Sequence, residues 1–240
     1  MATIKLGLGT ASWYRIGNRK QLDRHLEFSR DLGFSLIDTS SFYSGGLNQW
    51  LLNRSRLKYL FEIIVKVGIP YTPYRRLERT LFPTFQKIEQ NRYLTPTSVK
   101  ADAIRSLKRL GLAEVSSILL HSPPSEEVLL NSQEYALTLL KMKDIGLCKN
   151  IGVSSDSKTV LVPEWVSVFE APIDLLPHKH PQAHVNHVFF GINRILKGKP
   201  PKISSWPCRK SCDFTFLTGT TDSDELVNFA RLVKEIINTD

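Results

Sequence analysis

Hydrophobic and polar positions along the chain fall into two regimes. Short apolar runs, read as strands, are separated in the first half by stretches of helical periodicity. Eight runs qualify: Ile4–Thr10, Ser35–Thr39, Leu60–Lys66, Val115–His121, Leu147–Ser154, Trp165–Glu170, His187–Phe190 and Phe214–Gly219. Most are near-continuous rather than alternating, as strands covered on both faces are. Between them, Arg19–Leu32 sets Leu22, Leu26 and Phe28–Ser29 around one face, and Ser98–Leu110 aligns Ala101, Ile104, Leu107 and Leu110. A last helix, about Ser223–Ile236, opens on Asp222-x-x-Glu225, which resembles a capping box with Asp as the cap.

One join recurs: a helical stretch, Leu or Ile followed by Gly, a short link, then an apolar strand. It occurs at Leu32-Gly33, Leu110-Gly111 and Ile145-Gly146. Glycine just past a helix takes a left-handed φ without a Cβ clash, and a helix so capped and followed by a strand is half of a βαβ unit. Eight strands with helices between them predict an α/β protein built as a (β/α)8 TIM barrel, a single domain over residues 1–240. The second half is thinner. Between Pro172 and Asp213 proline and loop-forming residues dominate, with only a stub at Pro181–Val188 for a sixth helix and no convincing seventh. The expected barrel is reduced there, helices 6 and 7 being short or missing.

Composition narrows the setting. With 240 residues, 42% hydrophobic and 23% charged, the chain can bury a sizeable core and is not a disordered or fibrous protein. The richest apolar run, Leu60–Val67, is interrupted by Glu62 and falls far short of the roughly 20 residues that span a bilayer. The opening segment lacks a basic and apolar leader, and three cysteines (Cys148, Cys208, Cys212) make no disulfide framework. A cytoplasmic location is expected. The net charge is +9, from 32 Lys and Arg against 23 Asp and Glu, but it is spread singly and in pairs such as Arg75-Arg76 and Arg209-Lys210. Without a basic tract, neither nucleic acid nor membrane is expected as a partner.

Candidate chemistry lies where strands finish, because barrel sites form at the C-terminal face. The second strand ends on Asp38, with Tyr43 on the loop after it; the third ends on Lys66 and the fourth on His121. A phenol is a poor acid at neutral pH. A neighbouring ammonium lowers its pKa, and an aspartate paired to that ammonium keeps it charged and oriented. An imidazole can then donate to a carbonyl oxygen that gains negative charge as hydride adds to C=O.

These residues resemble the catalytic tetrad of the aldo/keto reductase family, and the likeness runs along most of the chain. Leu6-Gly7-Leu8-Gly9-Thr10 resembles the family's first strand, and Leu36-Ile37-Asp38-Thr39-Ser40-Ser41-Phe42-Tyr43 its Asp-Thr-x-x-x-Tyr segment. Ile64-Val65-Lys66-Val67-Gly68 resembles the lysine strand; Ser106–Gly111 through Leu119-Leu120-His121-Ser122-Pro123 resembles the histidine segment. Lys143-Asp144-Ile145-Gly146 to Ile151-Gly152-Val153-Ser154-Ser155 is similar to the fifth-strand signature.

The resemblance implies reduction of an aldehyde or ketone by NADPH, with NADH as the alternative cofactor, or oxidation of the alcohol. Tyr43 is then the proton donor, Lys66 and Asp38 its tuning pair and His121 the carbonyl-orienting group. Thr10, Asp38, Ser154 and Ser155 join the implied cofactor contacts, the serine pair standing where Ser-Asn is usual. Glu170, in Glu170–Leu176, replaces the usual glutamine, and an ionised acid cannot donate to a carboxamide oxygen. Gly219, Thr220 and Thr221 lie in the implied phosphate and adenine segment, where a helix N-terminus suits an anion although Asp222, Asp224 and Glu225 crowd the turn. Trp13 is the expected lining of a substrate pocket, with Tyr14, Phe42, Tyr71 and Tyr74 as further aromatics near the mouth.

Other readings compete. His180, His184 and His187 fall at i, i+4 and i+7 in a loop that also holds His178, a spacing able to hold zinc, and Cys208-x3-Cys212 offers soft ligands. No nearby carboxylate completes the set, and the leading expectation assigns no metal. The thin second half and the acidic residues also suit a redox-inactive barrel serving as a binding or regulatory subunit, its uncovered apolar surface met by a partner or a second copy. A third reading is non-redox acid–base chemistry, isomerisation or elimination, through Tyr43 and His121.

Overall fold

A computed structural model describes residues 3–69, 95–123, 133–155, 162–173, 185–191 and 213–238. Eight parallel strands close into a barrel in chain order: β1 (Ile4–Gly9), β2 (Phe34–Ser40), β3 (Glu62–Val67), β4 (Val115–His121), β5 (Cys148–Ser154), β6 (Val168–Pro172), β7 (Asn186–Phe190) and β8 (Phe214–Thr218). β1 pairs with both β2 and β8, which closes the cylinder. Among the described residues five helices follow strands: α1 (Arg19–Asp31), α2 (Leu47–Asn53), α3 (Pro96–Leu110), α4 (Gln133–Asp144) and α5 (Ser223–Asn238). They lie after β1, β2, β3, β4 and β8. The stretches after β6 and β7, where the sequence places helices 6 and 7, fall outside the described residues.

Local chemistry explains the elements. Asn18 caps α1 by accepting from the Gln21 amide, and α3 starts at a reciprocal Thr95–Ser98 capping box with Pro96 at its first position. The glycines of the recurring join, Gly33, Gly111 and Gly146, all sit at positive φ. Strand edges differ from expectation in two places. A 3-10 turn over Arg56–Leu60 delays β3 to Glu62, and a turn in which the Val166 amide donates to the Pro163 carbonyl moves β6 from Trp165 to Val168. The stub read at Pro181–Val188 is corrected at its end: Asn186–Val188 are strand residues paired with β6.

The barrel encloses two stacked layers. Leu36, Ile64, Leu119, Val168, Val188 and Leu217 form a compact buried cluster separate from the larger core between strands and helices. Two residues further along their strands stand Asp38, Lys66, His121, Ser154 (after Gly152) and Glu170, all buried. Strand side chains repeat with period two, so this polar set points into the same interior, one level nearer the C-terminal mouth. Gly152 on β5 lies so close to β6 that a Cβ there would fall 1.8 Å from the Val168 carbonyl oxygen. Close strand approach at that point is available only to glycine.

A buried lysine ties three outer elements together. The Lys58 ammonium donates to the Asn53 carbonyl at 3.0 Å, the Asn53 side-chain oxygen at 2.7 Å and the Leu110 carbonyl at 2.7 Å. It therefore satisfies the C-terminal carbonyls of both α2 and α3. Lys58→Met keeps the apolar stem but leaves those acceptors without their donor. Denaturant unfolding is expected to show a loss of about 1–3 kcal/mol; an unchanged midpoint would mean that water replaces the ammonium without cost.

Candidate functional site

The polar layer is an ion cluster at the strand ends. The Lys66 ammonium lies 2.8 Å from Asp38 Oδ2 and 2.5 Å from Glu170 Oε1, and the Ser154 hydroxyl donates to the same Glu170 oxygen at 3.1 Å. Parallel pairing brings these residues together: Ser40 stands beside Lys66, His121 beside Ser154, and Ser154 beside Glu170. Asp38 and Lys66 reach each other across the β2–β3 pair, while Glu170 arrives from β6 on the far side.

Tyr43 joins from the loop after β2, at the head of a 3-10 turn over Tyr43–Gly46. Its ring centroid is 5.2 Å from the Lys66 ammonium and 5.7 Å from the His121 ring. Among the described residues, the two non-glycines with left-handed φ, Ser44 and Ser122, directly follow Tyr43 and His121. Sparsely populated backbone at these two points fixes how both rings enter the mouth. Gly46 closes the turn against the Arg109 guanidinium of α3, where a Cβ would lie 2.4 Å from Nη1.

His121 Nδ1 lies 3.1 Å from Ser40 Oγ, and Ser40 Oγ accepts the Phe42 amide at 3.2 Å. Ser40 thus links the imidazole to the loop that carries Tyr43. The sequence reading missed this role, although Ser40 is inward by period two from Asp38.

Charge in the cluster is unbalanced: two carboxylates face one ammonium. Burial lowers the Lys66 pKa, but Asp38, Glu170 and Tyr43 outweigh that and hold it well above its usual value, so Lys66 stays charged. Burial pushes Glu170 up to about 7, with the Asp38 charge adding and Lys66 opposing. Asp38 is also raised, by burial first, against the pull of Lys66. The expected acidification of Tyr43 does not result. Burial raises the phenol, Lys66 lowers it, and Asp38 and Glu170 raise it further, leaving its pKa above the usual 10. Burial is the largest of these effects; the Glu170 charge adds to it, where an amide at 170 would add none.

The remaining expected contacts divide. Ser154 faces the cluster; Ser155 is buried, its amide donating to the Glu170 carbonyl at 2.8 Å. The Thr10 hydroxyl donates to Thr39 at 3.0 Å, and its carbonyl accepts Asn48 at 2.6 Å, so Thr10 fastens β1 to the Tyr43 side of the mouth. At the last helix, Asp222 Oδ1 accepts the Asp224 amide at 2.9 Å and the Glu225 amide at 3.0 Å, while Thr220 donates to Glu225. Those two N-terminal amides, which the sequence offered to a phosphate, are satisfied by the chain's own carboxylate. Thr221 is partly exposed, and Gly219 lies against Gly9 and Ser12.

Two expectations are corrected. Trp13 is 1% exposed, belongs to the core and meets His25 of α1 edge-on at 5.7 Å, so it packs the helix layer rather than lining an accessible pocket. His187 lies on β7, buried and stacked on Phe189 at 6.0 Å and Phe214 at 5.9 Å, which removes it from a helical metal-binding face. His178, His180, His184, Cys208, Cys212, Tyr71 and Tyr74 lie outside the described residues, among which no cluster of three metal-binding side chains occurs.

The nicotinamide end of a dinucleotide fits this cluster. Glu170 Oε2 and Asp38 Oδ1 are buried with no hydrogen-bond partner among the described residues. As an acceptor, Glu170 can take a carboxamide N–H, whereas the donor an amide side chain would offer is missing.

A closed parallel barrel with an acid, a base and a phenol gathered at its strand ends defines an enzyme-type scaffold. The sequence model of the aldo/keto reductase family matches residues 5–174, and the chain belongs to that family of nicotinamide-dependent oxidoreductases. No curated protein matches the sequence significantly. Among solved structures, a Pseudomonas aeruginosa protein assigned to the aldo-keto reductases is 19% identical at a TM-score of 0.70, covering 97% of this chain and 91% of its own. A Bacillus halodurans aldo-keto reductase in its holo form is 16% identical at 0.66, covering 96% and 86%. A Klebsiella pneumoniae aldo-keto reductase in complex with NADPH is 16% identical at 0.63, covering 95% and 85%. At these identities the likeness establishes the fold. No helix among the described residues is long and apolar enough to cross a membrane.

Proposed function

We propose that this chain interconverts a small-molecule aldehyde or ketone and its alcohol, with Tyr43, Lys66, Asp38 and His121 as the working set and NADPH as the cofactor. The observation that carries this reading is the Lys66 ammonium, fixed between Asp38 and Glu170 with the Tyr43 ring 5.2 Å away. The choice of NADPH follows the Klebsiella pneumoniae relative, whose structure contains it.

When bound, the nicotinamide supplies or accepts the hydride. Everything else falls to the chain. Tyr43 keeps its proton across the physiological range, because burial raises its pKa, and is therefore loaded to donate. Lys66 stabilises the phenolate left behind. Since Ser40 Oγ already accepts the Phe42 amide, its hydroxyl proton can go to His121 Nδ1, which sets the Nε2–H tautomer and makes Nε2 a donor to the carbonyl oxygen. Ser154, holding Glu170, would position the carboxamide.

The test is an NADPH fluorescence titration followed by turnover of an aldehyde panel. Saturable binding with oxidation of NADPH by at least one aldehyde supports the reading. No change up to about millimolar NADPH, far weaker than the micromolar KM values usual for enzymes, overturns it in favour of a binding scaffold.

A further inference from the structure

Glu170 is the feature of the cluster that the proposed reaction does not need. It is 1% exposed, and its partners come from every neighbouring wall: Lys66 from β3, Asp38 from β2 and Ser154 from β5. Tyr43 and the Ser40-bound His121 complete the titratable groups around it, and Val188, its partner on β7, carries no charge. Among these groups Lys66 is the one permanent cation. With both carboxylates ionised, the buried cluster carries a net charge of −1, and one oxygen on each carboxyl lacks a donor among the described residues. Such a pocket is short of one positive charge.

We infer that Glu170 is a specificity-determining residue that makes the pocket bind the cationic, oxidised nicotinamide cofactor more tightly than the neutral, reduced one. The inference rests on the proposed function, because a hydride carrier must approach the same carbonyl carbon that Tyr43 and His121 serve. The oxidised ring supplies the missing charge; the reduced ring does not. An ion in this low-dielectric interior interacts far more strongly than it would in water. A proton on Glu170 fills the same deficit, since a protonated Glu170 can donate to Asp38. The bias therefore belongs to the ionised form and fades as pH falls through about 7.

The experiment measures Kd for NADP+ and for NADPH at about pH 5.5 and about pH 8.5, on either side of the Glu170 titration, in the wild type and in Glu170→Gln. In the wild type, the preference for NADP+ is expected to grow by about tenfold or more from the lower to the higher pH. Glu170→Gln is expected to hold a constant ratio, with NADPH binding at least as tightly as in the wild type. If both forms bind but the wild-type ratio is the same at the two pH values, the inference falls while the proposed function stands. If the glutamine variant reproduces the wild-type pH dependence, the inference also falls. If neither form binds, the inference and the proposed function both fall. The wild-type comparison is independent of the variant, so a glutamine variant that misfolds leaves the test intact.

Discussion

Tyr43→Phe is expected to lower kcat by about 10^2–10^4-fold, the range that a positioned general acid contributes, with cofactor affinity nearly unchanged. The substitution removes one oxygen and keeps the ring that contacts Phe42 and His121 at 6.4 and 5.7 Å. It leaves Asp38, Lys66 and Glu170 paired as before, so neither folding nor the charge of the pocket should change. In the proposed reaction Tyr43 is the proton source, and neither Lys66, locked between carboxylates, nor His121, bound through Nδ1, is placed to replace it at neutral pH. Steady-state kinetics beside a cofactor titration separates the two effects. A phenylalanine variant within tenfold of wild-type kcat would transfer the donor role to another group or to water.

Lys66→Met is expected to act on stability as much as on turnover. Removing one partner of a buried ion pair typically costs about 3–5 kcal/mol, since the remaining charge is left without compensation. Here two carboxylates are stranded rather than one. The pH dependence has a definite sign. Glu170 rises from its usual 4.5 to about 7 on folding, so its contribution to stability is fully present below 4.5 and is lost as pH rises through about 7. Without Lys66 both carboxyls lose the interaction that lowers them and rise further, which extends that loss to higher pH. Denaturant midpoints should therefore show the variant far weaker than wild type above about pH 8 and close to it near about pH 4. A deficit independent of pH would mean that the stem of Lys66, rather than its charge, supports the barrel.

Much of the architecture was readable from local signals. Glycines past three helices and apolar runs of strand length each report on a few neighbouring residues, and both held in the structure. Asp38, Lys66 and His121 could be singled out because an ionisable side chain ending an apolar strand is visible without knowing the fold. What could not be read was the pairing across the barrel. Lys66 and Glu170 are 104 residues apart in sequence and meet only because closure places β6 opposite β3. The sequence marked Glu170 as an odd cofactor contact; its pairing with Lys66 required the register. Trp13 failed for a related reason. An aromatic beside the first strand end can turn to the mouth or to the helix layer, and packing against His25 decided for the helix layer. Ser40 was overlooked as a partner because a short hydroxyl serves many local bonds and only geometry selects one, whereas Asp222, read as the cap of the last helix, does accept the Glu225 amide.

The apolar layer beneath the cluster, from Leu36 round to Leu217, forms a dry floor. An apolar layer offers water no polar stepping-stones, so among the described residues this level provides no polar route from the cluster to the bottom of the barrel. On the proposed reading, a proton that Tyr43 gives up is replenished from above, at the strand ends where substrate and cofactor would enter. Recharging the donor and clearing the chamber thus become a single event, and a bulky product that lingers would stall both.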